Sequence, residues 1–404
     1  MLKSFWIAGF EGSCHRRRDA KRLDLLETTL HDRFVAEDYA RLGEVGIRTA
    51  RDGVRWHRIE ASPGRYDFAS LLPMVRAARD AKVQVLWNLC HYGYPDGLDP
   101  FRPGFVDRFA RFAGAVARVI AAETDEPPVY TPVNEISFWS WAGGDVAYFN
   151  PGETGRGFEL KAQLVRATLA AVDAIWQVDR RARILHTDPA IHIAADPARP
   201  EDTRPEEAQI IEEKRLAQFQ AWDMIQGTIW PQLRGDRRYL DLLGVNFYPQ
   251  NQWVHEGPRL HRGEAGYRPL REILQEIHRR FHRPLLIAET GTHDDERPAW
   301  LRYVGREVRA AQRSGVPIHG ICLYPVLDYP GWDDDRHCAC GLWGYADEQG
   351  HRELYRPLAE EIASQNELFR RDRAVSRVFD QHPAAFELDA TAPGVEEEIE
   401  HAVH

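Results

Sequence analysis

The sequence alternates short apolar runs, rich in β-branched residues, with longer stretches whose apolar residues recur at helical spacing. This alternation is typical of parallel βαβ units, in which each strand is followed by a helix. Eight such repeats follow one another, and eight parallel strands close into a barrel, so we predict an α/β protein of the (β/α)8 TIM barrel class. The strands are predicted at 5–10, 46–51, 83–91, 128–135, 182–186, 242–248, 284–289 and 316–324.

The helices are predicted between these strands, and the third of them shows the clearest pattern. Pro103 suits its first turn, and Phe105, Phe109, Phe112 and Val116 recur on one stripe. The predicted helices are 33–42, 68–80, 103–122, 157–178, one from about 205, 268–281, 297–313 and 353–369. Barrels of this class commonly reach such a length as one unit, so residues 1–370 are predicted to form a single domain.

The alternating pattern ends after residue 370. Arg370 and Arg371 are followed by Pro383, Pro393 and the acidic run Glu396–Glu398, without helical or strand periodicity. Residues 371–404 are therefore predicted to form an extended or disordered acidic C-terminal tail.

Charge and composition exclude several classes of partner. The formal net charge of -10 disfavours nucleic acid, which requires a basic face. No apolar run reaches the roughly 18 residues that a membrane-spanning helix requires, so no membrane partner is expected. The polar start does not resemble a signal peptide, and an odd number of cysteines, five, suits a reducing compartment. A cytoplasmic protein is expected.

Two of the predicted strands end in a glutamate. Asn134 and Glu135 end the fourth strand and are followed at once by the aromatic residues Trp139 and Trp141, and Glu289 ends the seventh strand. The C-terminal ends of barrel strands form the rim on which active sites are built. Two carboxyl groups on that rim are what the hydrolysis of a glycosidic bond requires.

Other strand ends also carry polar or aromatic residues. They include Glu11, Arg51, Asp52, His91, His186, Asn246, Tyr248, Tyr324 and Asp328. Their concentration at one rim predicts a site. Glu135, beside two tryptophans, fits the proton donor, because apolar walls and a nearby negative charge raise the pKa of a carboxyl group. Glu289 fits the nucleophile if Arg51, Asn134 or Tyr248 approaches it.

The order of these motifs resembles that of the clan A glycoside hydrolases, and most of all that of the family 1 β-glucosidases. Thr131–Glu135 resembles the acid/base motif of that family, and Ala288–Gly291 resembles its nucleophile motif. Arg51 resembles its second-strand arginine, and His91 stands where the family has a sugar-binding histidine. Asn246–Tyr248 resembles the segment whose tyrosine hydrogen-bonds the nucleophile.

The resemblance extends over residues 5–350. Tyr324–Trp332 is similar to the run after the eighth strand of that family, and Gly341–Asp347 is similar to its closing segment. The resemblance implies a retaining double displacement through a covalent glycosyl-enzyme, with Glu135 as acid/base, Glu289 as nucleophile and the carboxyl groups about 5 Å apart. It also implies substrate-binding roles for Arg51, His91, Asn134, Asn246, Tyr248, Tyr324, Asp328 and Trp332.

The sequence departs from the family pattern where the family holds its sugar. The family's glutamine after the first strand has no clear counterpart in Glu11–His15, Gly331 replaces a glutamate, and Tyr324 replaces a tryptophan. The chemistry can therefore be kept while the sugar differs, or the sugar contacts can come from His15, Asp333 and their neighbours.

Several alternatives stay open. Arg16–Arg18 follow the first strand, and a minority hypothesis is that they recognise an anionic sugar. A barrel that binds carbohydrate without hydrolysing it and a transglycosidase using the same glutamates are the other candidate functions. The expected partner is a small-molecule glycoside or oligosaccharide. No cofactor and no metal are expected, and the sequence does not determine the sugar, the aglycone or the oligomeric state.

Overall fold

The computed structural model describes residues 2–197 and 204–381, with side chains as far as residue 372. Its centre is a closed barrel of parallel strands, which we label β1 to β8 in chain order. They are β1 (Trp6–Gly9), β2 (Thr49–Gly53), β3 (Gln84–Asn88), β4 (Val129–Thr131), β5 (Arg183–Pro189), β6 (Leu242–Asn246), β7 (Leu285–Thr290) and β8 (Ile318–Leu323). Each strand pairs with the next, and β8 pairs with β1, which confirms the predicted (β/α)8 barrel.

Helices surround the barrel. The main ones are Val35–Leu42, Leu72–Asp80, Pro103–Glu123, Gly157–Val178, Pro205–Leu216, Gln220–Gln226, Leu270–Phe281, Arg297–Arg313 and Arg356–Gln381. Shorter helical segments are Leu25–Thr28, Trp56–Ile59, Ile136–Trp139, the π-helical turn Ser140–Asp145, and the 3-10 turns Gly43–Val45, Ala217–Phe219, Pro231–Leu233, Arg237–Tyr239 and Asp294–Glu296. The helices predicted at 157–178 and 297–313 have the boundaries that the sequence pattern indicates.

Small sheets outside the barrel order some of its loops. Tyr329–Pro330 pairs with His337–Cys338, Trp343–Ala346 pairs with Arg352–Leu354, and His192–Ala194 pairs with Gln252–Val254. The last helix therefore begins at Arg356 rather than at residue 353, because the residues before it are paired as a strand.

Aromatic packing attaches the third main helix to the barrel. Phe105, Phe109 and Phe112 pack against the indole of Trp56, with ring centroids 5.6, 5.1 and 5.2 Å from it. All four side chains are buried, and burial of each such ring contributes about 1.5–3 kcal/mol. The apolar stripe predicted on this helix is thus the surface that it buries.

An apolar layer fills the barrel below its rim. It consists of Ile7, Leu86, Val129, Leu185, Leu242, Leu286, Ala288, Cys322 and the ring of Tyr324. Such a layer closes the interior, so the polar side chains that follow it along each strand are confined to the C-terminal rim.

The chain divides into two units after Glu361. The first unit contains the barrel, and the described part of the second, Ile362–Gln381, is the remainder of the last helix. This helix passes the boundary predicted after residue 370, because no glycine or proline interrupts the chain before Pro383. The rest of the predicted tail lies outside the described residues. Within the described ranges, no helix is both long and apolar enough to cross a membrane.

Gly244 is packed between the strands that carry the site. It lies in β6, opposite Thr187 of β5 and Leu286 of β7. A Cβ atom at this position would stand 2.6 Å from Thr187 Cγ2 and 2.8 Å from the Cβ of Ala288, the residue before Glu289. The absence of a side chain here therefore lets β7 approach β6.

We expect Gly244→Ala to lower the free energy of unfolding by about 1–3 kcal/mol, because the added methyl group overpacks the barrel wall. Urea denaturation of the purified chain measures the change. Gly104→Ala is the control, since a Cβ there meets nothing within 4 Å and the residue lies in a helix. Equal stability of the two variants would contradict the tight packing at Gly244.

Candidate active site

Glu289 is held by two donors at the end of β7. Arg51 Nη1 donates to Oε1 at 2.7 Å, and the hydroxyl of Tyr248 donates to Oε2 at 2.9 Å. The side chain is 6% exposed, so the ion pair with Arg51 is largely shielded from water. These two hydrogen bonds fix the orientation of the carboxylate, and the guanidinium offsets its negative charge. Two of the partners expected from the sequence, Arg51 and Tyr248, therefore contact this carboxylate.

Glu135 occupies a sharp bend between β4 and the helix Ile136–Trp139. Its φ of 48° lies in the left-handed region, which costs a residue other than glycine of order 1–3 kcal/mol. Two backbone hydrogen bonds hold the bend: the Glu135 N–H donates to the carbonyl of Thr187, and its own carbonyl accepts from the N–H of Trp139. The bend turns the carboxyl group into the barrel mouth.

The partners of the Glu135 carboxyl group are uncharged. Asn246 Nδ2 donates to Oε1 at 2.8 Å, and the hydroxyl of Tyr92 donates to Oε2. Burial, with a further contribution from the negative charge of Glu289, raises the pKa of Glu135 to about 8, against the lowering effect of the two hydrogen bonds. At that pKa Glu135 holds a proton at neutral pH.

The two glutamates are linked through Asn246, although β5 and β6 separate β4 from β7 in the barrel. Asn246, which donates to Glu135, is the Cα partner of Glu289 in the pairing of β6 with β7. Neighbouring strands lie about 4.8 Å apart. The charge of Glu289 also acts on the pKa of Glu135. The two carboxyl groups therefore belong to one site.

Asn134 links the surroundings of the two acids. Its Oδ1 accepts from Arg51 Nη2 at 2.6 Å and from Thr187 Oγ1 at 2.8 Å. Its Nδ2 lies 3.0 Å from His91 Nε2 and donates to the hydroxyl of Tyr92 at 3.1 Å. The amide thus uses both its oxygen and its nitrogen within the protein, and it fixes the partners of Glu289 and Glu135 relative to each other.

His91 and Tyr324 form the side of the site nearest β3 and β8. His91 Nδ1 lies 3.1 Å from Asn88 Nδ2 and 3.3 Å from the hydroxyl of Tyr324. Burial keeps the pKa of His91 well below its ordinary value, so the imidazole is neutral. The Arg51 guanidinium carbon lies 5.2 Å from the centre of the Tyr324 ring, within the range of a cation–π contact.

Asp328 and Trp332 occupy different places in the loop after β8. Asp328 Oδ1 accepts from the backbone N–H groups of Cys340 and Gly341 at 2.9 and 2.8 Å, and its Oδ2 lies 2.9 Å from His337 Nε2. These contacts hold the loop and involve neither glutamate. The ring of Trp332 lies 5.9 Å from that of Tyr92, the residue that donates to Glu135.

Two of the three arginines in the first loop, Arg16 and Arg17, are paired with acids. Arg16 donates to both oxygens of Asp96 at 2.7 and 2.6 Å. Arg17 forms ion pairs with Asp19 and Asp335, at 2.9 and 3.1 Å. The charges of Arg16 and Arg17 are therefore offset by these acids, and recognition of an anionic sugar through Arg16–Arg18 stays a prediction.

Sequence reasoning missed Tyr92, the residue that contacts the candidate acid. The signal was its position directly after His91, at the end of a predicted strand. Its φ of 63° turns it away from the strand direction. No local sequence pattern indicates which way such a residue turns, so the contact with Glu135 appears only in the structure.

The sequence matches no protein-family model and no curated protein. Solved structures are similar at low identity. The AHE enzyme from Alicyclobacillus herbarius has a TM-score of 0.69 and 18% identity, over 83% of this chain and 88% of that chain. A family 1 β-glucosidase from Thermotoga maritima has a TM-score of 0.71 and 16% identity, over 90% of this chain and 97% of that chain. The structure of its complex with isofagomine lactam has a TM-score of 0.72 and 15% identity, over 91% of this chain and 98% of that chain. The chain shares the fold of these proteins.

The raised pKa of Glu135 makes stability depend on pH. The proton on Glu135 binds more tightly in the folded chain, where its pKa is near 8, than in the unfolded chain, where it is near 4.5. This difference stabilises the fold fully below the unfolded pKa, and the stabilisation is lost as the pH rises through 8. Between about pH 5 and about pH 9 we expect the melting temperature of the wild type to fall several degrees more than that of Glu135→Gln. Differential scanning calorimetry measures both. Parallel curves for the two proteins would contradict the raised pKa.

Proposed function

We propose that this protein is a retaining glycoside hydrolase, with Glu135 as the general acid/base and Glu289 as the nucleophile. One observation carries the proposal: two carboxyl groups share a buried site in opposite surroundings. Glu135 has neutral partners and a pKa near 8, whereas Glu289 is paired with Arg51. A proton donor beside an ionised carboxylate is the arrangement that this reaction requires. The shared fold with family 1 β-glucosidases supports the same reaction class.

In the first step, Glu289 attacks the anomeric carbon and forms a glycosyl–ester bond. The bond from that carbon to the leaving oxygen breaks as Glu135 transfers its proton to this oxygen. Arg51 and Tyr248 hold the two oxygens of Glu289, so the attacking group needs little reorientation. The aglycone leaves as an alcohol.

In the second step, Glu135 acts as a base because it has lost its proton. It accepts a proton from water while the water oxygen attacks the anomeric carbon and releases Glu289. The free sugar keeps the configuration of the substrate, and Glu135 is protonated again. An alcohol in place of water would give transglycosylation by the same route.

The substrate that we propose is a small-molecule β-glycoside or an oligosaccharide. Trp332 presents an aromatic face close to Tyr92, on which the C–H face of a sugar can pack. His91 and Tyr324, which contact each other, offer polar atoms to the hydroxyl groups of a sugar. Asn134 and Asn246 position the acids, and we assign Asp328 to the loop that carries Trp332.

Azide rescue tests the assignment of the nucleophile. We expect Glu289→Gly to lower kcat/KM for an activated aryl glycoside by roughly 10⁴-fold or more. Added azide should then restore turnover and give a glycosyl azide of inverted configuration, because azide enters from the face that Glu289 vacates. NMR of the product determines the configuration.

Glu135→Gly is the matched control. It keeps the nucleophile, so azide should attack the covalent intermediate and give a glycosyl azide of retained configuration. If neither variant forms an azide from any glycoside that the wild type cleaves, the assignment of the pair is wrong. If the wild type binds glycosides and cleaves none, the barrel is a carbohydrate-binding protein.

Tyr92→Phe should move the alkaline limb of the pH profile. The hydroxyl of Tyr92 donates to Glu135 and so lowers its pKa, and its loss should raise the limb of kcat/KM by about one pH unit. Tyr94→Phe is the control, because the hydroxyl of Tyr94 interacts with Asn150 rather than with a carboxyl group. An alkaline limb unchanged in Tyr92→Phe would show that this contact does not tune the acid.

A further inference from the structure

A third carboxyl group lies in the same site. Glu11 follows β1 and is 8% exposed. Its Oε1 accepts from the N–H of Ser13 at 3.0 Å, from Ser13 Oγ at 2.6 Å and from the hydroxyl of Tyr324 at 3.3 Å. Oε2 accepts no hydrogen bond from the residues that the structure describes. One oxygen therefore fixes the side chain, and the other is left for a ligand.

Glu11 belongs to the network of the two catalytic candidates. Tyr324 contacts both Glu11 and His91, and His91 contacts Asn134. Asn134 in turn binds Arg51, the partner of Glu289. The negative charge of Glu289 also acts on Glu11. The Glu11 carboxyl group is thus part of the barrel mouth rather than of a separate loop.

Glu11 has no cationic partner in the described ranges. No lysine or arginine there forms an ion pair with it, and His91 Nε2, 3.8 Å from Oε1, belongs to an imidazole that burial keeps neutral. Burial, with a smaller contribution from Glu289, raises the pKa of Glu11 to about 7. Above that pH Glu11 carries a negative charge, and the nearby cation, Arg51, is hydrogen-bonded to Glu289 and Asn134 instead.

The charge balance of the site follows from these contacts. Two acidic side chains, Glu11 and Glu289, stand near one guanidinium, that of Arg51, which hydrogen-bonds Glu289 and Asn134 and acts on Glu11 only through space. Arg51 already serves Glu289 and Asn134. A sugar carrying a carboxylate or phosphate would meet an unpaired negative charge, whereas a hydroxyl or ammonium donor would give Oε2 its missing partner.

We propose that Glu11 determines the specificity of the glycone pocket: Oε2 accepts a hydrogen bond from a hydroxyl or ammonium group of the sugar, and the carboxylate excludes anionic sugars. The inference rests on the proposed glycosidase function and names its substrate class. Neutral sugars and amino sugars carry a hydroxyl or ammonium donor for Oε2. Uronic acids and sugar phosphates carry a negative charge, which the Glu11 carboxylate repels.

The test compares the wild type with Glu11→Gln on 4-nitrophenyl β-glycosides. The neutral arm contains glucoside, galactoside, mannoside and xyloside, the cationic arm contains glucosaminide, and the anionic arm contains glucuronide and glucoside 6-phosphate. Glutamine keeps the shape of the side chain and removes its charge. Glu307→Gln is the control, because Glu307 is a buried carboxylate that pairs with Arg271 on an outer helix.

We expect the wild type to prefer the neutral or cationic arm over the anionic one. Glu11→Gln should lower kcat/KM on the preferred substrate by about 10- to 100-fold, mainly through KM, as expected for loss of one hydrogen bond to a charged group. In Glu11→Gln, the ratio of kcat/KM on the preferred substrate to kcat/KM on the anionic substrates should also fall. Loss of a purely structural residue would not change this ratio. Glu307→Gln should change neither quantity.

The outcomes separate this inference from the proposed function. Two results would overturn the role of Glu11 and leave the glycosidase proposal standing. One is that Glu11→Gln and Glu307→Gln turn over the substrates with the same kcat and KM. The other is that the wild type prefers the anionic substrates. A preference for glucosaminide over glucoside would identify the donor as an ammonium group, and the reverse would identify a hydroxyl. Absence of turnover on every glycoside would overturn both proposals.

Discussion

The buried guanidinium of Arg51 is the interaction on which the arrangement of the site depends. It donates to Glu289 through one nitrogen and to Asn134 through another, so it connects the ends of β2, β4 and β7. The side chain is 1% exposed. Removing one partner of a buried ion pair typically costs about 3–5 kcal/mol, because the other charge is left without compensation. This one side chain therefore ties together strand ends from separate parts of the barrel.

The same cation gives the carboxyl groups of the site different properties. Glu289 contacts the guanidinium directly, whereas Glu135 is hydrogen-bonded to Tyr92 and Asn246, which carry no charge. Burial and the negative charge of Glu289 raise the pKa of Glu135 in these uncharged surroundings. The strained backbone of Glu135 is retained in this setting, as strain often is at functional sites.

The local pattern predicted most of the elements and several members of the site. Apolar runs and helical stripes indicated the barrel, and strand ends indicated Glu135, Glu289, Arg51 and Tyr248, because a parallel barrel brings these ends to one rim. The pattern did not predict that Asp328 would be used in its own loop. It also ended the last helix near residue 369, whereas the helix continues to Gln381, since boundaries depend on tertiary packing that periodicity does not describe.

The sequence by itself determined the fold class and the kinds of side chain at the barrel mouth, because the periods of strand and helix and the residues that end each strand are local properties. Only the tertiary structure decided the partner of each carboxyl group. Tyr92 meets Glu135, and Ser13 and Tyr324 meet one oxygen of Glu11, through backbone turns and close approaches of strands distant in sequence. Proton affinity depends on those distances and on exclusion of water, and neither is a property of the chain before it folds.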